Sequence, residues 1–534
     1  MFSSVLDRPP PLSSPKIEIN VLLLGESGVG KSTFINAFVN YLIFDTLQQA
    51  EQNQSVVLIP VSFLTTIGDH FEEFIVKFGD VDTNEDYEHQ GQSVTQHCRS
   101  YLFHLNDTCI LRLIDSPGMG DTRGLTQDDK NIEHILTYVN NLSHLNAVCL
   151  LLKPNASRLN VFFRSCINQL FTYLTPTAYD NVIFCFTNSR ATFFAPGDTG
   201  PLLRKMLQNE HHNQIPFGKT NTFCFDSESF RYLAAKKCGI DFDEFQKEEC
   251  TKSWMTSVVE SVRLLEYIVT RTPYHLHEYQ SPRKAALEIS MLARPLMETI
   301  RLVIFNQILC ERKMTTCRII LNYEPVDAVE LCSNCASCEI VQLGLLFYMR
   351  FQGVRLQEDK IPGHQCYSDG EGFPIEYTTN YVLLQEPQDT TTHLFSDILQ
   401  NYDKLTHFLQ QQGLSPQRDP FTLVLERFML EEHQIRYSIE GDISMNERLL
   451  EILSSIESMR MTNTTALEQS NERLSLPDIY QIIDDLKSSH ESMQMQIDSI
   501  QESRRLKMKA CEKQIETNLQ PRNELFTKLI DRFE

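Results

Sequence analysis

Eight residues near the start of the chain limit its fold more than any other part of the sequence. They match the pattern G-x-x-x-x-G-K-[ST] without a mismatch and read Gly25-Glu26-Ser27-Gly28-Val29-Gly30-Lys31-Ser32. An apolar run leads directly into them, and a helical pattern follows from Lys31, with Thr33 in its first turn. Glycines let backbone N–H groups converge on a phosphate, and the helix N-terminus adds positive potential. The segment therefore predicts a nucleotide-binding loop, in which Lys31 reaches the β- and γ-phosphates and Ser32 ligates Mg²⁺.

Short apolar runs alternate with amphipathic helical stretches as far as about residue 270. The strand-like runs are Ile17–Leu24, Cys109–Ile114, Ala147–Leu152, Val182–Thr187 and Thr222–Phe225, and the helical stretches lie near 31–44, 127–145, 158–174 and 200–210. Near-continuous apolar strands that are separated by helices are typical of a parallel sheet covered on both faces. The pattern predicts an α/β P-loop domain, with a mostly parallel sheet, over residues 16–272.

A second carboxylate follows the strand that ends near Ile114. The chain reads Asp115-Ser116-Pro117-Gly118 at this point. In P-loop proteins an Asp at the end of a neighbouring strand is coupled to Mg²⁺. Gly118 offers a backbone N–H that can approach a γ-phosphate. The alternative is a surface Asp-Pro-Gly turn, which the position after a strand and downstream of a P-loop disfavours.

Residues 25–32 together with 115–118 resemble the translation-factor-related class of P-loop GTPases, most of all the septin and GIMAP-type (immunity-associated) GTPases. The segment Gln92-Ser93-Val94-Thr95-Gln96-His97-Cys98 is similar to the stretch that carries the switch I threonine in GIMAP-type proteins. The resemblance spans about residues 17–235. It implies that Thr95 closes over the γ-phosphate, with Thr65 and Thr66 as alternatives. It further implies GTP or GDP as the ligand, catalytic roles for Lys31, Thr95 and Gly118, and Mg²⁺ ligation by Ser32, Thr95 and Asp115.

The residue after Gly118 bears on hydrolysis. In Ras-like enzymes a Gln at this position orients the attacking water, whereas this chain has Met119, whose thioether cannot do so. Septin- and GIMAP-type GTPases also commonly have a hydrophobic residue there. The sequence therefore predicts slow intrinsic hydrolysis that depends on a partner or a second subunit. Arg123 is a candidate source of positive charge, although a surface arginine is the better interpretation.

The base-recognition motif departs from the usual pattern. Guanine specificity in this class rests on Asn/Thr-Lys-x-Asp, whose carboxylate accepts two hydrogen bonds from the base. This chain reads Thr187-Asn188-Ser189-Arg190, so Thr187 and Asn188 are candidate contacts but the Asp is replaced by Arg190. After the next strand, Ser227 resembles the last base-contact element, and its neighbours Asp226 and Glu228 are candidate acceptors. GTP is the expected nucleotide and ATP the competitor.

The remaining chain is less informative. We expect a flexible arm over 1–15, a helical linker over 280–320, a small mixed region over 321–390 and a helical or coiled-coil region over 391–534. A heptad-like seam predicts one long helix between Pro477 and Pro521, formed by Ile479, Ile482, Leu486, Met493, Ile497 and Ile500. It favours either a packed bundle or self-association. Cys332, Cys335 and Cys338 have zinc-knuckle spacing, but without a second Cys-x-x-Cys pair free thiols are favoured over zinc.

Charge and cysteine content limit the partners. The net charge of −22 argues against nonspecific binding to nucleic acid or to an anionic membrane. Residues 69–88 hold eight acids and one base, so part of this charge lies beside the predicted nucleotide loop. We interpret that segment as a solvated excursion, with a nucleotide-dependent partner element as the alternative. Fifteen cysteines, with no signal-peptide pattern, membrane span or lipid anchor, predict a reduced, cytoplasmic protein. From the predicted slow hydrolysis and the helical C-terminal region we expect homo-oligomers or a nucleotide-dependent protein partner.

Overall fold

The structure is a computed structural model. It describes residues 17–67, 70–80, 95, 97–105, 109–119, 125–156, 161–209, 214–276, 278–313, 317–325, 340–343, 347–351, 373–383, 394–414, 419, 421–422, 424–426, 428–429, 447–456, 458–460, 474–510 and 512–514. The predicted arm, Arg123 and the three clustered cysteines Cys332, Cys335 and Cys338 lie outside the described residues.

The N-terminal half alternates strands and helices. Its strands are β1 (Ile17–Gly25), β2 (Val61–Ile67), β3 (Glu72–Phe78), β4 (Arg99–His104), β5 (Cys109–Asp115), β6 (His144–Leu145), β7 (Ala147–Leu152), β8 (Val182–Phe186), β9 (Thr222–Cys224) and β10 (Tyr274–His275). Its helices are α1 (Lys31–Ile43), α2 (Leu47–Gln52), α3 (Leu125–Asn140), α4 (Val161–Tyr173), α5 (Thr199–Asn209), α6 (Glu228–Lys237) and α7 (Glu244–Val269). The five predicted strands are confirmed as β1, β5, β7, β8 and β9.

The C-terminal half combines helices with a second sheet. Its elements are α8 (Pro282–Glu311), β11 (Cys317–Pro325), β12 (Ile340–Leu343), β13 (Phe347–Phe351), β14 (Phe373–Leu383), α9 (Leu394–Gln411), α10 (Leu476–Ser488), α11 (Glu491–Ala510) and β15 (Glu512–Gln514), and further helical residues lie within 421–429 and 447–460. The sheet has the order β11-β14-β13-β12. The predicted helical linker corresponds to α8, which ends at Glu311, before the first strand of that sheet.

The large sheet has the order β15-β4-β5-β1-β7-β8-β9. Strands β5, β1, β7, β8 and β9 are parallel, whereas β4 runs antiparallel to β5. The apolar runs are buried because helices cover both faces; every residue of β5, for example, is buried. Parallel order places the carboxyl ends of the central strands at one edge, where open α/β sheets bind ligands. The fold is that of a P-loop G domain.

Each face of the sheet has its own core. Trp254 on α7 is fully buried on one face, packs edge-on against Tyr41 at 4.8 Å and donates from Nε1 to the Phe44 carbonyl at 3.1 Å. These contacts fix α1, the helix that begins at the P-loop. Helices α3 and α4 cover the other face through residues such as Ile135 and Leu170.

The chain between α2 and β4 contains an antiparallel hairpin, β2–β3, that is separate from the large sheet. Val76 on β3 is buried against Ala234 and Ala235 of α6, whereas Phe74 and Ile75 are exposed. This hairpin accounts for part of the long spacing between the P-loop and Asp115. Residue 69 and residues 81–88 of the acidic excursion lie outside the described part.

The C-terminal helices form a third core around α8. Ile479, Ile483, Met493 and Ile500 pack with residues of α8 and α9 such as Leu296. The predicted single helix between Pro477 and Pro521 is wrong, because the chain breaks between α10 and α11. Ser489 Oγ donates to the Leu486 carbonyl at 2.8 Å, and His490 Nδ1 accepts from Ser492 N at 3.0 Å. These side-chain bonds end one helix and start the next. None of the described helices is long and apolar enough to cross a membrane.

Candidate nucleotide site

The predicted P-loop connects the central strand β1 to α1. Gly30 is the N-cap of α1 and has φ 97°, a left-handed conformation that favours glycine. Val29 N donates to the Glu26 carbonyl at 3.1 Å and closes a tight turn. The loop therefore wraps the N-terminus of α1, where backbone N–H groups are available to an anion. Ser32 and Thr33 follow in the first helical turn and are half-buried.

Lys31 lies over this loop. Its Nζ donates to the carbonyl oxygens of Gly25 at 3.1 Å and Glu26 at 3.3 Å, and the side chain is buried. The ammonium is thus held at the rim of the loop by backbone acceptors. A phosphate group at this position would meet a preplaced positive charge rather than a flexible side chain.

Three oxygen-bearing side chains converge beside Lys31. Thr95 Oγ1 lies 3.4 Å from Ser32 Oγ and 3.3 Å from Asp115 Oδ2. Thr95 and Asp115 are both buried. Mg²⁺ prefers such hard oxygen ligands and usually completes its shell with phosphate and water oxygens. The three residues therefore fit a magnesium ion, and they are the three that the sequence predicted.

Burial raises the pKa of Asp115 to about 6, while the charge of Lys31 and hydrogen bonds from the Ser116 N–H, Thr95 and Ser32 act in the opposite direction. Desolvation therefore disfavours the ionised form of this carboxylate. A divalent cation would stabilise the charged form. This electrostatic property agrees with the choice of ligands.

Gly118 and Met119 join the P-loop to the end of β5. Met119 N donates to the Gly25 carbonyl at 3.1 Å, and Ser27 N donates to the Met119 carbonyl at 2.9 Å. A Cβ on Gly118 would lie 2.7 Å from Ser27 Cα, so only glycine permits this approach. The Met119 side chain is fully buried in the core beneath the sheet. It therefore points into the protein interior and takes no part in orienting water.

The loop after β8 supports the P-loop from the other side. Thr187 Oγ1 donates to the Val29 carbonyl at 2.9 Å, and the residue is buried. Asn188 is exposed and adopts φ 54°. Ser189 holds the neighbouring loop, because its N and Oγ both donate to the Phe225 carbonyl, at 3.0 and 2.8 Å. The two predicted base-contact loops are thus adjacent.

The two candidate hydrogen-bond acceptors of the base site, Asp226 and Glu228, already have protein partners. Asp226 is buried, accepts from Ser253 Oγ at 2.7 Å and pairs with Arg190 Nε at 3.4 Å through the same oxygen, Oδ2. Its Oδ1 accepts from the Glu228 backbone N–H at 3.4 Å. The Glu228 carboxylate instead pairs with Arg231 at 2.7 Å. Burial raises the pKa of Asp226, and the Ser253 bond and the Arg190 charge oppose this shift.

Ser227 has an unusual environment in this site. Its hydroxyl is buried, yet it has no hydrogen-bond partner among the described residues. Ser227 is the N-cap of α6, but its side chain makes no capping hydrogen bond. A buried hydroxyl without a partner costs free energy, and a polar ligand would relieve that cost.

The structure brings together most of the predicted site. Lys31, Ser32, Thr95 and Asp115 converge. The alternatives Thr65 and Thr66 lie in β2 and line a cavity of about 570 Å³ beside α6, which Arg190 and Glu228 also line. Sequence reasoning missed the Arg190–Asp226 pair and the supporting role of Ser189. Their complementary charges lie on different loops, and only the pairing of β8 with β9 brings them together.

No family model and no curated protein sequence matches this chain. Among solved structures, Toc33 from Arabidopsis thaliana in complex with GDP and Mg²⁺ is similar at 13% identity, over 48% of this chain and 88% of that chain, with a TM-score of 0.25. The G domain of the FeoB iron transporter of T. maritima is similar at 15% identity, over 41% of this chain and 99% of that chain, with a TM-score of 0.18. Such distant likeness assigns no activity to this chain, for which the site geometry is the relevant evidence.

Proposed function

We propose that this chain binds guanine nucleotide with Mg²⁺ and hydrolyses GTP slowly, as a nucleotide-dependent switch of the septin or GIMAP type. The observation that carries the proposal is the convergence of Ser32, Thr95 and Asp115 beside Lys31 at the N-terminus of α1. A phosphate-binding loop, a preplaced ammonium and three hard oxygen ligands form a combination suited to a Mg²⁺-bound nucleotide.

In this mechanism the residues mainly position and stabilise charge. Lys31 binds the β- and γ-phosphates, and the Gly118 N–H donates to the γ-phosphate. The Thr95 carbonyl holds the attacking water. When bound, Mg²⁺ neutralises the charge that develops on the phosphate oxygens. Because the Met119 side chain is buried in the core, no amide orients that water, and we expect a low intrinsic rate.

With a slow intrinsic rate of GTP hydrolysis, a second subunit or a protein partner would supply the remaining catalytic group. We therefore propose that the protein works in the cytoplasm, through self-association or a nucleotide-dependent partner. The second candidate function is a non-hydrolysing scaffold whose G domain binds nucleotide structurally. The replacement of the guanine-specific Asp by Arg190 favours that candidate, and it also keeps ATP as a competitor of GTP.

The proposal is tested by nucleotide binding to the Lys31→Ala variant. Removal of the ammonium should weaken binding of fluorescent GDP by at least about 100-fold, because a buried charge that contacts phosphate contributes about 3 kcal/mol or more. Lys205→Ala on the exposed face of α5 is the matched control and should bind like the wild type. Equal affinity of Lys31→Ala and the wild type would refute the proposed nucleotide site.

Single-turnover hydrolysis over a range of protein concentrations separates the two candidate functions. A rate that rises with concentration supports a GTPase activated by self-association. A rate of zero at every concentration supports the scaffold.

A further inference from the structure

The base site carries an inference that rests on the proposed nucleotide binding and deepens it. We propose that Arg190 selects the base by donating hydrogen bonds to the acceptor edge of guanine, O6 and N7. Arg190 occupies the position at which the usual motif has an Asp, whose carboxylate accepts hydrogen bonds from N1–H and the 2-amino group. The protein would then recognise any 6-oxopurine base and would not distinguish guanine from hypoxanthine.

The first argument is the chemistry of the described residues in the two base-contact loops. Asp226 is 1% exposed, and its two oxygens accept from Ser253, the Glu228 N–H and Arg190. Glu228 is paired with Arg231. No other carboxylate occurs in the segments 187–190 and 225–228. The donor edge of guanine therefore meets no open carboxylate in these loops.

The second argument is the way in which Arg190 is held. Its Nε pairs with Asp226 at 3.4 Å, and its Nη1 lies 3.9 Å from Cys250 Sγ. Within the part of the chain that the structure describes, no hydrogen bond engages Nη2, and the side chain is 37% exposed. The guanidinium is thus held on one side by Asp226, and Arg190 lines the cavity of about 570 Å³ beside α6. A planar fork of this kind matches the O6 and N7 acceptors of guanine.

The third argument is the position of these donors. Thr187 and Ser189 tie this loop to the P-loop and to the loop after β9, so Arg190 is within the same framework that holds the phosphate site. The buried Ser227 hydroxyl also lacks a hydrogen-bond partner among the described residues. A base bound between the two loops would supply one. The 6-amino group of adenine is a hydrogen-bond donor and would face the donors of Arg190, so adenine would be rejected. Hypoxanthine has the same O6 and N7 acceptors as guanine and would be accepted.

Displacement of fluorescent GDP from the full chain by GDP, IDP and ADP tests the proposal. IDP lacks the 2-amino group, and we expect it to compete within about three-fold of GDP, because no carboxylate reads that group. ADP should compete more weakly by roughly 5- to 150-fold, the range for one bidentate base contact.

Two Arg190 variants complete the test. Arg190→Lys keeps a positive charge beside Asp226 but has no planar fork, so the GDP-over-ADP preference should fall to within about three-fold while thermal stability is retained. The double variant Arg190→Gln with Asp226→Asn removes the ion pair without leaving an unpaired buried charge and should lose the same preference. Arg204→Lys on α5, which lies over the Phe217 ring, is the control and should keep it.

Two results would overturn the inference. One is IDP binding weaker than GDP by ten-fold or more, which would mean that an acceptor reads the 2-amino group. The other is an Arg190→Lys variant whose ratio of GDP affinity to ADP affinity equals that of the wild type. Failure of GDP, IDP and ADP alike to bind the wild type is a different result, because it would refute the proposed nucleotide site itself.

Discussion

Glycine at position 118 is required by a close contact between two backbone segments. A Cβ there would lie 2.7 Å from Ser27 Cα, which is backbone and cannot rotate away. The contact lets Met119 exchange hydrogen bonds with Gly25 and Ser27. One residue therefore joins the end of β5, which carries the proposed magnesium ligand Asp115, to the loop predicted to hold the phosphates.

Gly118→Ala should therefore push the P-loop and the end of β5 apart. We expect the free energy of unfolding to fall by about 1–3 kcal/mol, as for overpacked sites, and GDP affinity to fall with it. The control is Gly218→Ala, since a Cβ at Gly218 meets no atom within 4 Å. Denaturant unfolding and fluorescent-GDP titration measure the two effects. An unchanged GDP affinity in Gly118→Ala would contradict the role of this contact.

At this scale the sequence predicted which residues converge at the proposed phosphate and magnesium site, because their motifs are local. Lys31 and Ser32 lie in one continuous pattern, and Asp115 follows a recognisable strand. Thr95 required the family resemblance, and its contacts with Ser32 and Asp115 agree with that choice. The pairing of Arg190 with Asp226 depends on two loops that only the folded sheet brings together, so no local pattern could predict it.

At the scale of elements, long apolar runs were predicted well and short or polar ones were not. Strand β4 was missed because its ends, Arg99 and His104, are polar and only its middle is apolar. The break between α10 and α11 was missed because the residues there are Ser489 and His490, and no Gly or Pro marks the end of a helix at these positions. The polar side chains end the helix there by hydrogen bonding to the backbone, which periodicity does not detect.

The apolar seam of α10 and α11 contacts α8 and α9 within one chain. Met493 is fully buried in that core, whereas Met495, two residues later, is 45% exposed. Met493→Glu should lower the free energy of unfolding by about 3 kcal/mol or more, because it places a carboxylate in an apolar core. Met495→Glu, the matched control, should change it by no more than about 0.5 kcal/mol.

Unfolding followed by helical circular dichroism and mass from light scattering measure this pair of variants together. If residues 479–500 formed the seam between two chains, Met493→Glu would convert a dimer into a monomer and leave the helices of each chain intact. That result would contradict the intramolecular bundle.

At the scale of the whole molecule, the two halves are joined at several places. Arg283 on α8 donates to Gln169 on α4. The C-terminal strand β15 pairs with β4 and extends the large sheet, which no sequence pattern predicted because the partners lie far apart along the chain. Arg112 on β5 binds Glu512 on β15 at 2.6 Å across 400 positions, and its Nε donates to Asn20 on β1 at 3.1 Å.

The Arg112–Glu512 pair is more than an exposed ion pair, because the two side chains are only 7% and 16% exposed. Glu512→Ala would leave the buried guanidinium with Glu18 as its remaining charged partner among the described residues. The free energy of unfolding should fall by about 1–3 kcal/mol. Trp254, the only tryptophan in the chain, reports on the G domain, so denaturant unfolding followed by its fluorescence measures this loss where it occurs.

Glu451→Ala is the matched control for this variant. It removes the partner of Arg448 in an ion pair whose side chains are 66% and 51% exposed, and such pairs contribute no more than about 1 kcal/mol. A larger loss for Glu512→Ala than for Glu451→Ala, measured by Trp254 fluorescence, would mean that a C-terminal residue stabilises the sheet that carries the proposed nucleotide site. Equal losses would mean that the Arg112–Glu512 pair contributes no more to the stability of the sheet than an exposed ion pair does.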